Sequence, residues 1–363
     1  MGNHRVLVIN EETYECVEVI GWGKSGYLDG SFESSKFNQT FGIAYLDNKI
    51  YIWDGKNHRI RVADLISREV STIAGTGTRG EDPKASNKNM LEQNLTTPFD
   101  IIYDSDAKLF YIAMSGIHQI WTMDLDKNVI LPFSGSGVEG CRDHQEDLLQ
   151  WTWAQPSGIS IGIGKEGAKE LYVADSESSK VRAINLDTLK SARTVVGGDG
   201  TPTNLFSYGD KDGIGTDAKL QHLVGLHYVD KLNTLFVADS YNHKVKLVNT
   251  QSDEISTIFG TGHSSLKDGG GLVLEFFEPT DIWESYNQEN GDLFLYIADS
   301  SNDAIRKVLI AKNGELSMNE NIETIRLCNV PSIVDVVKSS MVECGESGWK
   351  WVRPSKRKKE EVS

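Results

Sequence analysis

The sequence is short of cysteine, positive charge and long apolar runs, and each shortage closes off a class of protein. Four cysteines, Cys16, Cys141, Cys328 and Cys344, stand far apart with no C-x-x-C pair. That is too few and too scattered for a disulfide-stapled secreted domain or for a dithiol oxidoreductase. No apolar stretch approaches the roughly 18 residues of a membrane span. The first residues, MGNHRVLVIN, lack the basic segment and apolar core of a secretory signal. Val6 stands where a myristoylated Gly2 would need Ser or Thr. Lys and Arg number 37 against 52 Asp and Glu, a formal charge of −15. Phosphate contacts need a basic face, so this balance argues against a nucleic-acid partner. The expectation is a monomeric cytosolic protein that binds neither membrane nor nucleic acid.

Nucleophile and phosphate motifs are missing too: no G-x-S-x-G, no H-E-x-x-H and no P-loop occurs. GTGTRG (75–80) leads into EDPKASNKN rather than a helix and reads as a loop.

Glycine, by contrast, is plentiful and spread along the whole chain, with 34 Gly against 8 Pro. Many short strands punctuated by glycine turns indicate an all-β fold. Self-similarity decides which one. The segments 49–65, 109–125, 171–186, 235–250 and 295–310 are one unit: a strand ending near Asp, a tight polar turn, then a second alternating strand. Residues 2–9 carry the turn and second strand of a further copy. The position held by His in most copies falls at 4, 58, 118, 179, 243 and 303, a period near sixty. Each unit continues through a β-branched run ending in glycines, a long connection and another alternating strand. The expectation is a six-bladed β-propeller with four antiparallel strands per blade. It spans residues 1–352 and is followed by a basic, charged tail, 353–363. The first blade begins at its third strand, so VPSIVDVVK (330–338) and GWKWV (348–352) are expected to pair with residues 4–20 and close the ring.

The turns identify a family. Asp-x-x-Asn-His, then a basic residue and alternating apolar residues, resembles the NHL repeat. Asn57-His58-Arg59 and Asn242-His243-Lys244 carry it in full, and Asn3-His4-Arg5 carries it at the start. FVADSYNHKVKLVN, NLFSYGDKDGIGTDAKLQH (204–222) and LYVADSESSKVR strengthen the likeness, which covers roughly residues 2–327. The resemblance implies a six-bladed interaction propeller. It also implies that relatives carry a thioredoxin-like domain ahead of the propeller; the chain would then be the propeller part of a redox-linked protein.

Several residue sets invite a functional reading. Asp54, Asp175, Asp239 and Asp299 end the second strands, where Asp side chains bond backbone N–H groups of tight turns. His4, His58, His118 and His243 occupy one position in different blades, which keeps them too far apart to share a metal. These eight are expected to be structural. Asp100 and Asp281 stand where other inner strands have Gly42, Gly158 and Gly225. They are the weak candidates for a channel metal, and a metal-dependent hydrolase or lyase is the enzymatic alternative. No cofactor is expected.

The long connections 76–96, 136–154, 198–221 and 261–278 are expected to gather on one face. Arg79, Trp153, Tyr208 and Tyr241 are the candidate partner contacts there, while Trp151 and Phe206 are expected to pack between blades. The expected function is a non-enzymatic scaffold for a protein or peptide partner, with a basic one favoured by the charge.

Overall fold

The computed structural model describes residues 3–82, 84, 89–143, 147–189, 192–312, 315–316, 321–325, 344–345 and 348–349. Their strands form five antiparallel sheets, each built on four main strands, and two separate two-stranded hairpins. Blade 1 comprises Thr40–Leu46, Lys49–Asp54, Arg59–Asp64 and Glu69–Ala74. Blade 2 comprises Asp100–Asp104, Leu109–Met114, Gln119–Asp124 and Val129–Ser134, and blade 3 Pro156–Ile163, Lys169–Asp175, Lys180–Asn185 and Ala192–Gly197. Blade 4 has Leu226–Val229, Thr234–Asp239, Lys244–Asn249 and Glu254–Phe259, and blade 5 has Pro279–Tyr286, Leu293–Asp299, Ala304–Lys312 and Asn321–Ile325. The hairpin Val6–Ile9 and Cys16–Ile20 pairs with none of these blades.

This is a propeller, but its described residues make five blades and not six. Among the described residues no further strand joins the hairpin to complete a sixth. Residues 330–338 lie outside the described residues, as does the charged tail 353–363. Gly348–Trp349 pairs instead with Cys344–Gly345. The hairpin bridges the first and last blades. Val6 and Ile20 share a core with Ile50, Ile52 and Val70 of blade 1. Its turn reaches blade 5, where Tyr296 Oη donates to Glu11 at 3.0 Å, Ser285 donates to the same carboxylate, and Lys307 Nζ donates to Tyr14 Oη at 3.2 Å.

The hub explains the glycines of the inner strands. Gly42 N–H donates to Phe99 O at 2.9 Å and Gly158 N–H to Val224 O at 2.7 Å. A Cβ at Gly42 would lie 2.6 Å from Asp100 Cα, and one at Gly225 would lie 2.7 Å from Asp281 Cα. Such contacts are too close for any side chain, so glycine lets the blades meet around the axis.

The central turn is a single 3-10 turn in blades 1, 2, 4 and 5 and a hydrogen-bonded turn in blade 3, each ended by a left-handed residue: His58, His118, Ser179, His243 or Asp303, with φ of 50 to 54°. His4 has φ of 48°. His and Asp tolerate this region better than branched residues, which is why the position is polar. The imidazole also reaches the next connection: Nδ1 of His4, His118 and His243 accepts from the N–H of Gln39, Gln155 and Glu278 at 3.1 to 3.2 Å. Those three donor residues are left-handed as well. At the matching position of the connection that follows His58 stands Thr97, whose β-branching opposes a left-handed backbone. His58 Nδ1 accordingly has no partner among the described residues.

The second-strand aspartates do more than cap turns. Asp54, Asp175, Asp239 and Asp299 are fully buried, each beside a buried cation of the third strand. Arg61 meets Asp54 at 2.7 Å, Arg182 meets Asp175 at 3.0 Å and Arg306 meets Asp299 at 2.8 Å, while Lys246 stays 3.6 Å from Asp239. The other end of each cation holds the incoming connection through Asp29, Asp143, Asp212 or Asp268. The remaining oxygen of each buried Asp accepts a backbone N–H from that connection: Asn38, Ala154, Gln221 or Phe277. Lysine's point charge cannot fork as guanidinium does. Burial pushes Asp239 up to about 6, against the opposing pull of Lys246, Asn242 and the Gln221 N–H, and raises Asp54 beside Arg61 as well.

Blade 2 dispenses with the ion pair, having Met114 and Trp121 at the two positions, both buried. Removing one partner of a buried pair strands the other, at about 3–5 kcal/mol, whereas an apolar pair of similar volume costs far less. Arg182→Trp alone is thus expected to destabilise by about 3–5 kcal/mol, and Asp175→Met with Arg182→Trp by clearly less. Denaturant unfolding of both variants checks this; equal losses would show that the charge pair itself is not what the turn depends on.

Candidate functional site

The connections do collect on the face that carries the central turns. Asn57 and Asn242 in those turns donate to Gly26 O and Gly209 O of the connections, both at 2.7 Å. Tyr208 and Tyr241 are brought together there, one beside Gly209 and the other beside Asn242. Tyr208 is 57% exposed and Tyr241 49%. The Tyr241 ring stacks on His222, with centroids 4.4 Å apart, so it is held in place although exposed. Phe206, expected to pack between blades, instead projects outward at 81% exposure. A turn around Asn204 and Asp199 holds its backbone: Asn204 Oδ1 accepts from Phe206 N–H at 3.0 Å, and Asn204 Nδ2 donates to Asp199 at 2.6 Å.

Arg79 is exposed on the connection between blades 1 and 2, apart from this aromatic group. Its charge, with that of Arg59, adds to burial in lowering the pKa of His58. Trp153 is wholly buried and cannot contact a partner. Its Nε1 donates to Ser134 Oγ at 3.1 Å, and the Arg182 guanidinium sits 4.3 Å from its ring centroid. Trp151 is buried beside it, as expected. Aligning the repeats in register would have revealed that Trp153 is buried. Phe37, Leu95, Leu220 and Phe276 hold the same position, two residues before the start of the inner-strand turn, and all are fully buried.

In the channel, Asp100 and Asp281 take up the hub positions read from the sequence. Asp100 Oδ2 accepts from Ile159 N–H at 3.0 Å and Oδ1 from Ile101 N–H at 2.8 Å, so its carboxylate ties blade 2 to blade 3. Asp281 accepts from Ile282 N–H at 2.9 Å. Burial, then the charge of Asp281, pushes Asp100 up to about 7. Channel water reaches Asp281, but protein fills most of the space around it. That desolvation raises it, against the Ile282 N–H and His227. The two acids titrate as a pair, and between them they keep a proton to higher pH than an isolated carboxyl does. Among the described residues no group of three or more His, Cys, Asp or Glu is placed to hold a metal. His4 stands before the hairpin and His58, His118 and His243 in three different blades, and among the described residues each Nδ1 accepts from a backbone N–H or, at His58, has no partner.

No family model matches the chain. Curated proteins do. The chain is 38% identical over 360 residues to NHL repeat-containing protein 2 of Gallus gallus, covering 94% of this chain and 48% of that protein. The chain is an NHL-repeat propeller. The human protein of the same name is 38% identical over 323 residues, covering 84% of this chain and 43% of its own length. Protein SUPPRESSOR OF QUENCHING 1, chloroplastic, of Arabidopsis thaliana is 37% identical over 315 residues, 86% of this chain and 28% of that protein. The NHL-repeat chain thus spans about half, or less, of the length of the curated relatives it matches. Among solved structures, a chain of a nidogen/laminin complex overlays with a TM-score of 0.51 at 15% identity, covering 89% of each chain. That likeness is one of fold alone. No helix among the described residues is long and apolar enough to cross a membrane.

The channel acids give a pH signature. The unfolded chain ionises Asp100 near the ordinary value of about 4, and the folded chain near 7. In that interval the folded state keeps a proton that the unfolded state has lost, so stability falls as pH rises from 4 towards 7. Asp281→Asn removes the neighbouring charge, so the variant is expected to lose less thermal stability than the parent between pH 5 and pH 8. Melting temperatures at the two values check this; an identical loss in both proteins would mean that the acids are not coupled.

Proposed function

We propose that this NHL propeller is a non-enzymatic interaction platform in the cytosol. It binds a protein or peptide partner on its connection-rich face, over Phe206, Tyr208 and Tyr241. The observation that carries this reading is the exposure of three aromatic rings on one connection and its neighbouring turn, with the Tyr241 ring stacked on His222 and the Phe206 backbone held by Asn204. Exposed aromatic rings held in place lose little freedom on binding and are common anchors of interfaces. Arg79 extends the face toward blade 2, and the charge of −15 favours a basic partner. The enzymatic alternative, a metal-dependent hydrolase or lyase at Asp100 and Asp281, has two carboxylates and no third donor among the described residues. Its remaining support is the raised pKa of Asp100.

The six-bladed count is part of the same reading. Ile43 and Tyr45 on blade 1 are 49% and 64% exposed, and Trp283 on blade 5 is 61% exposed. In register, Ile43 and Tyr45 lie opposite Ile52 and Ile50, on the face turned toward the Val6–Ile9 hairpin. Residues 330–352 supply the two missing inner strands, cover this apolar wall and pair the free edge of the hairpin.

Two measurements test these proposals. The triple variant Phe206→Ala, Tyr208→Ala, Tyr241→Ala is expected to melt like the parent and to lose the partners that the parent captures. Undiminished recovery would discard the face. Deleting 330–363 is expected to lower the melting temperature by several degrees, as loss of a few kcal/mol does in a domain of this size; an unchanged value would discard the closure.

A further inference from the structure

Blade 3 contains a side-chain pair that the turn architecture does not require. Lys180 Nζ lies 3.1 Å from Cys141 Sγ, and the two residues are only 3% and 2% exposed. The sulfur is within reach of two carbonyls, Pro202 O at 3.3 Å and Asn204 O at 3.5 Å. Among the described residues the sulfur is the hydrogen-bond partner of the amine. The equivalent positions of other blades are fixed by shared backbone bonds: Gly26, Gly140 and Gly209 donate to the carbonyls of Phe37, Trp153 and Leu220. The residue that follows is Tyr27, Cys141 or Asp210. In blade 1 the Arg59 guanidinium covers the Tyr27 ring at 3.9 Å, and in blade 4 Lys244 pairs with the Asp210 carboxylate. Blade 3 keeps the cation and replaces its inert partner with an oxidisable one.

Two further features make the pair reactive with a small molecule. A cavity of about 90 Å³ borders both side chains, and its rim includes the exposed Gly200, Thr201 and Pro202. A few waters or a peroxide fit such a volume. Gly198, with φ of +74°, passes so close to the lysine stem that a Cβ there would stand 2.3 Å from Cε. The amine is therefore held against the sulfur.

We propose that Cys141 and Lys180 form a reversible oxidation site in which the amine traps the oxidised sulfur as a covalent cross-link. Hydrogen peroxide oxidises the thiol to a sulfenic acid and is reduced to water. Lys180 gives its ammonium proton to solvent and attacks sulfur through the freed amine; an S–N bond forms, the S–O bond breaks, and hydroxide departs with one of the remaining amine protons as a second water. Thiol and amine together lose two hydrogens. The cross-link halts the sulfur before the irreversible sulfinic and sulfonic stages, and a thiol reductant cleaves it. It also removes the S–H donor facing Pro202 and Asn204.

Peptide mapping of the full chain after graded peroxide, digested without reductant, tests this. The expected product joins the peptides containing Cys141 and Lys180, lighter by two hydrogens than their sum, and disappears with dithiothreitol. Lys180→Arg keeps the charge but is expected to lose the cross-link, with Cys141 advancing to sulfinic acid. The proposal is overturned if Cys141 in the parent stays reduced, or reaches sulfinic acid with Lys180 unmodified. The parent protein alone decides between these outcomes, so the test holds even if the Lys180→Arg chain fails to fold.

Discussion

The buried bond between a third-strand cation and a second-strand aspartate is the constraint around which this propeller is arranged. One Arg or Lys side chain, lying inside a blade, faces the aspartate of its own sheet at one end and the aspartate of the incoming connection at the other. It thereby fastens three pieces of chain that are distant in sequence: Asp29, Asp54 and Arg61 in blade 1, or Asp143, Asp175 and Arg182 in blade 3. The aromatic residue above the cation, Phe37, Trp153 or Phe276, excludes water from the pair. A charge so enclosed tolerates no loss of its partner. The connections are long and would otherwise wander, yet in blades 1, 3, 4 and 5 they return to the same place because this bond awaits them.

That constraint separates frame from function on the connection-rich face. Residues that serve the buried pair are fixed and inaccessible, Trp153 among them. Residues one step outside it, such as Phe206, Tyr208 and Tyr241, are free to differ from blade to blade. Cys141 belongs to an intermediate group, next to the frame but not part of it. Its place is filled by Tyr27 and Asp210 elsewhere, so the fold accepts there any side chain that a cation can approach.

Much of this was legible in the sequence. The period near sixty gave the strands and their order, and the recurrence of His marked a tight structural turn, although its left-handed backbone was not read. Gly42, Gly158 and Gly225 announced the hub, and Asp100 and Asp281 stood out against them. Burial was harder to read, because a tryptophan in a long connection looks like an exposed anchor until its equivalents in other repeats are set beside it. Phe206 misled in the opposite sense, since a large apolar residue gives no sign of its direction when no repeat partner constrains it. The double attachment of each turn aspartate was also hidden: pairing with Arg seven residues later is local, but the second aspartate lies 32 or 39 residues away. The described residues carry five blades, and the sixth was read from half a unit at residues 4–20 and from pattern alone at 330–352.

The hairpin's contacts with blade 5 set an order of events in time. Glu11 and Ser285, which bond across the seam, are separated by 274 residues. At about 5–20 residues per second of synthesis, roughly 14 to 55 s pass between the appearance of the first and that of the second. Throughout that interval the hairpin leans on blade 1 alone, with one strand edge and the side toward blade 5 uncovered. A nascent chain of this kind offers a chaperone its clearest target at the beginning of the ring and keeps offering it until the last blade emerges.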